Sequence, residues 1–106
     1  MLAADLPAAD VRAWARRQRP LHQAVLAGAA SSPAWRTLPS WFIYGGADKA
    51  LPPGLHAFMA KRAGAAGVEV VEGASHSLHI SHAHRVMRFI EQAAVAAEFP
   101  VPNLDP

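Results

Sequence analysis

Apolar residues in this chain form two short unbroken runs and several stretches of helical spacing. Trp41-Phe42-Ile43-Tyr44 is apolar throughout, and Val68-Glu69-Val70-Val71 nearly so. Runs of this length, rich in β-branched and aromatic residues and bounded by Gly or Pro, predict strands covered on both faces, as in a parallel sheet flanked by helices. Between them, Leu55, Phe58, Met59 and Ala63 recur at helical spacing after Pro52-Pro53-Gly54. They predict a helix to about Ala63 with those four side chains as its apolar stripe and Lys61 and Arg62 in its last turns, where the dipole favours cations. A closing helix is predicted over 82–97, with Val86, Phe89, Ile90, Ala93, Ala94 and Ala97 inward. The alanine-rich start predicts a helix from Pro7 to about Gln18, stopped by Pro20. A short second helix then carries Leu21, Ala24 and Val25 on one side, 28–33 is a loop by composition, and Pro100 and Pro102 mark a frayed tail.

Strand, helix, strand, helix is one right-handed βαβ unit with a closing helix, which is the α/β class with parallel strands. Two parallel strands do not stand alone, because their faces and edges need further strands beside them. The expected architecture is therefore an incomplete sheet. Residues 1–39 form a helical segment before the first strand, 40–98 the βαβα part, and 99–106 a tail.

Bulk properties narrow the class without naming a chemistry. With 106 residues, 52% apolar and 17% charged, the chain is one globular domain or a piece of one. It has no cysteine, which excludes disulfides and thiolate metal sites. The N-terminus has no basic stretch followed by an apolar run, and no run is long enough to cross a bilayer, so a cytoplasmic location without membrane contact is expected. Net charge is only +2. Arg12, Arg16, Arg17 and Arg19 cluster, with Arg12, Arg16 and Arg19 on a helix face opposite Val11, Trp14 and Ala15, and read as a solvated helix face, since no aromatic or Gly-rich nucleic-acid motif accompanies them.

Each predicted strand leads to one titratable side chain: Gly45-Gly46-Ala47-Asp48 after the first, Gly73-Ala74-Ser75-His76 after the second. Taken singly, Asp48 reads as a turn residue and His76 as a loop histidine. Together, an acid and then a histidine on successive strand ends are the second part of a Ser…Asp…His order. The segment 45–53 (Gly-Gly-Ala-Asp-Lys-Ala-Leu-Pro-Pro), the helix at 58–65 and the stretch 69–77 ending Gly-Ala-Ser-His-Ser resemble the C-terminal portion of an alpha/beta-hydrolase, of the esterase-like kind. The stretches 3–9, 18–20 and 33–41 also resemble what precedes the acid strand in that group, so the resemblance covers about residues 3–96.

The resemblance implies the C-terminal part of an alpha/beta-hydrolase fold, with His76 as general base and Asp48 as the acid that orients it. It implies hydrolysis of a small ester-like substrate through an acyl-enzyme, with no cofactor and no metal. Residues 1–39 would be part of a lid or pocket wall, with Trp14 and Leu21 as substrate-binding residues, while Trp41 packs.

Against that pattern, no Gly-x-Ser-x-Gly occurs; the serines are at 31, 32, 40, 75, 77 and 81. The oxyanion-hole segment is missing as well. The expectation is a truncated hydrolase, inactive alone, whose nucleophile comes from a complementing N-terminal half. The alternative is a non-catalytic remnant or interaction module that pairs its strand edge with another chain or with itself. His76, His79, His82 and His84 match no metal-ligand spacing and read as surface histidines, with weak adventitious nickel binding at most.

Overall fold

A computed structural model describes residues 1–98, so the predicted tail at 99–106 lies outside the described residues. Two strands form the centre. β1 (Trp41–Gly45) and β2 (Gly67–Val71) pair in parallel, with Trp41 opposite Gly67 and Gly45 opposite Val71. The crossover between them carries helix α3 (Pro53–Arg62), and after β2 come a four-residue helix, α4 (Leu78–Ser81), and the long closing helix α5 (Ala83–Ala96). Mixed helices on a small parallel sheet are the α/β class expected from the sequence. Among the described residues the sheet has two strands, and each pairs only with the other.

The core is small. Val71 and Ala74 are fully buried and pack with Leu78 against Ile43 and Val86, which ties β1, β2, the loop after β2 and α5 together. Arg85 on α5 also donates to Glu69 on β2 at 2.6 Å. Gly45 ends β1 where no side chain fits: a Cβ there would collide with the carbonyl oxygens of Ala74 and Ser75. That close approach seats the end of β1 directly on the loop that follows β2. Gly64 adopts φ +61° just after α3, a left-handed conformation that glycine enters without steric cost.

Several predicted details are corrected. Helix α1 (Ala8–Ala15) stops short of Gln18, because the backbone tightens into i→i−3 bonds from Arg17 to Trp14 and from Gln18 to Ala15. Helix α2 (Gln23–Ala27) begins three residues after Pro20, where the His22 ring nitrogen Nδ1 accepts the Ala24 N–H as a cap. Neither helix buries a residue, and Leu21, Val25 and Leu26 are exposed. A 3₁₀ turn at Ala34–Arg36, unforeseen in the sequence, places Trp35 under the guanidinium groups of Arg36 and Arg62 at 5.5 and 5.2 Å.

The apolar stripe of α3 is also rotated from the one expected. Leu55 and Phe58 are exposed, while Ala60 is buried and His56, Met59 and Ala63 are half-buried on the face toward the sheet. On α5, Phe89 is buried as expected but Ile90 is 60% exposed, because the inward face follows Val86, Phe89 and Ala93 and no element covers the next position.

Candidate active site

The fold brings Asp48 and His76 into contact, although 28 positions separate them. β1 delivers Asp48 through the Gly45-Gly46-Ala47 turn, in which Gly46 N–H bonds to Val71 O and Ala47 N–H to Ala74 O. β2 delivers His76 through a turn at Gly73 (φ +73°) that the same two carbonyls stitch to the acid loop. The two loops are thus one hydrogen-bonded unit at the C-terminal edge of the sheet.

The Asp48 side chain is 1% exposed and fully engaged. Its Oδ1 accepts the backbone N–H groups of Ala50 at 2.8 Å and Leu51 at 3.0 Å. Its Oδ2 accepts His76 Nδ1 at 2.7 Å and His56 Nε2 at 2.8 Å. Burial alone would push the carboxyl pKa up, but the bonds from Leu51, His56, His76 and Ala50 outweigh it, and the group is held well below the usual carboxylate range. A carboxylate has no proton to give, so both imidazoles must donate. His76 therefore carries its proton on Nδ1. In the neutral ring that leaves a lone pair on Nε2, which has no hydrogen-bond partner among the described residues. The His76 side chain is 38% exposed, enough for that nitrogen to reach an incoming group.

His56 was not singled out in the sequence. It lies on the inner face of α3, stacks on Tyr44 with ring centroids 4.8 Å apart and stands 6.3 Å from the His76 ring. The available signal was its spacing with Ala60 and Ala63, but a single histidine on a helix reads as a surface residue until the buried face is known.

Trp14 sits on α1 at 38% exposure and Leu21 in the link after it at 63%. A cleft of about 440 Å³ lies elsewhere, lined by Trp35, Ser40, Trp41, Phe42, Met59, Arg62 and Ala63, and contains neither residue nor the Asp48–His76 pair. Of the histidine run 76–84, only His76 joins the site. Asp48, His56 and His76 do offer a two-imidazole, one-carboxylate set with donor atoms within 4.8 Å of one another. Asp48 already accepts four hydrogen bonds, two of them from these imidazoles, so the three side chains are engaged with one another through the same atoms that would face a cation.

An imidazole held by a buried carboxylate at one nitrogen and open at the other is an acid–base device: it can take a proton from a hydroxyl or water and return it to a leaving group. Comparison with known proteins gives one family. The model of the alpha/beta hydrolase family matches residues 1–89. No curated protein and no solved structure matches the chain.

Proposed function

Because the chain belongs to the alpha/beta hydrolase family, we propose that Asp48 and His76 are the acid and base of a serine-hydrolase triad. The observation that carries this reading is the 2.7 Å bond from His76 Nδ1 to the buried Asp48 carboxylate, with Nε2 left open. In the complete enzyme Nε2 takes the proton of a serine hydroxyl as the serine attacks an ester carbonyl. The imidazolium then protonates the departing alcohol, and a water molecule, deprotonated by the same nitrogen, releases the acid. Asp48 stabilises the imidazolium throughout and fixes the ring.

The serine must come from outside these 106 residues, which hold no Gly-x-Ser-x-Gly. Of the serines near the base, Ser75 and Ser77 are buried, and Ser75 spends its hydroxyl proton on Asp5. The chain alone is proposed to lack esterase activity, with Trp14 and Leu21 contributing to the substrate pocket of the complete enzyme. Two strands that, among the described residues, pair only with each other support a complementing N-terminal half as the partner. The same edges support the second reading, an interaction module that adds its strands to another chain or to itself.

Reading the DNA upstream of the Met1 codon in the same frame tests the choice. A strand, Gly-x-Ser-x-Gly and helix without a stop supports the hydrolase. Stop codons, with no neighbouring frame that restores activity on co-expression, support the module.

A further inference from the structure

The residues on either side of His76 are tied to the first turn of the chain. Asp5 Oδ2 accepts the Ser75 N–H at 3.1 Å and the Ser81 hydroxyl at 2.6 Å, and Oδ1 accepts the Ser75 hydroxyl. Ser75 has one hydroxyl proton. Having given it to Asp5, its oxygen can only accept, and it receives the Ser77 N–H at 3.1 Å. The same Ser77 N–H points at Leu2 O, 2.9 Å away. Ser81 is in the same position: its proton goes to Asp5, so its oxygen accepts from His82 Nδ1 at 2.9 Å. One carboxylate, 70 positions from Ser75, thereby orients two hydroxyls and pins Ser75 directly, while Ser77 is held through the Ser75 hydroxyl and the Leu2 carbonyl.

We propose that Asp5 is a positioning residue for His76: its bonds to Ser75 and Ser81 fix the loop that presents the imidazole to Asp48. The proposal rests on the Asp48–His76 reading above. Asp48 is immobilised independently by Ala50, Leu51 and His56, and the acid loop holds the histidine loop as far as Ala74; from Ser75 onward, Asp5 supplies the side-chain bonds that hold it. Misplacement of a catalytic group by an ångström costs on the order of 10²-fold in rate, which is the scale of what such a clamp protects. A carboxylate suits the task better than an amide, because all the donors it meets here are N–H or O–H groups and a charged acceptor bonds them more strongly.

The test is nuclear magnetic resonance of the whole chain, read at two places. Amide exchange at Ser75 and Ser77 reports the clamp, and the deshielded His76 Nδ1 proton bonded to Asp48 reports what the clamp does for the base. In Asp5→Ala, exchange at both amides is expected to rise about tenfold or more and the His76 proton signal to broaden or vanish. Asp5→Asn, which keeps an acceptor, is expected to fall between, and Ser81→Ala, which removes one bond, to show a smaller change. These two milder variants carry the test if Asp5→Ala does not fold. Faster amide exchange with an unchanged His76 signal makes Asp5 merely structural and overturns the proposal, as does no change at either place. A wild-type chain without the His76 signal defeats the Asp48–His76 reading itself, and the positioning role falls with it.

Discussion

At Asp48 four donors converge on a carboxylate that water scarcely reaches, and two of them are imidazoles. Asp48→Asn keeps the shape but puts an N–H where an acceptor is needed. In the complemented enzyme it is expected to lower kcat by roughly 10⁴-fold with the chain still folded, checked by ester turnover and circular dichroism. Acid stability follows from the same residue scale. Asp5 is subject to a burial effect that raises its pKa, but the bonds from Ser75 and Ser81 prevail and bring it from 3.8 to about 2, and Asp48 is lowered too. Carboxyls whose pKa falls on folding stabilise the fold in full above the unfolded value and lose that contribution as pH drops through the folded one. Tm is therefore expected to fall between about pH 4 and pH 2. Asp5→Asn should shallow that fall, and an unaltered slope in thermal melts would contradict the assignment. That Asp48 and His76 would meet was legible in the sequence, because each follows a strand at a glycine turn. His56 and Asp5 were not: a helical histidine and an N-terminal aspartate acquire their meaning from partners that only the folded chain brings near.

Helix α3 shows where periodicity stops short. Positions 55, 58, 59 and 63 and positions 56, 59, 60 and 63 both satisfy helical spacing, and hydropathy favours the first set because it holds Leu55 and Phe58. Contact with β1 selects the second, burying Ala60 to 3% exposure and leaving Phe58 at 60%. Accordingly Ala60→Leu is expected to destabilise by about 1–3 kcal/mol through overpacking, and Phe58→Ser to change stability by no more than about 0.5 kcal/mol, both from denaturant midpoints. Gly45 is held to a stricter limit, since a methyl group meets two backbone carbonyls rather than a mobile side chain. Gly45→Ala should cost about 2 kcal/mol or more and loosen the junction of the acid and histidine loops, seen as a lower Tm. The strands themselves were legible to within a residue, because a glycine or proline bounds each run.

Taken whole, the described residues bury six apolar side chains and leave Leu55, Phe58, Val68, Met87, Ile90 and Val95 exposed. So much apolar surface on so small a sheet favours association. In isolation the chain is expected to self-associate, with a sedimentation coefficient that rises with concentration; a stable monomer with a cooperative melt would contradict both the hydrolase and the module readings. The α/β class and the order of the strands were readable from the sequence, whereas the extent of the exposed surface depends on which faces find neighbours. The hydrolase reading turns on the state of one imidazole. A two-dimensional ¹H–¹⁵N spectrum of the histidine rings in mildly alkaline buffer tests it: His76 is predicted to be the Nδ1–H tautomer, with a deshielded proton that disappears in Asp48→Ala. A His76 ring protonated on Nε2, or a signal indifferent to Asp48, would contradict the assignment of this pair as acid and base.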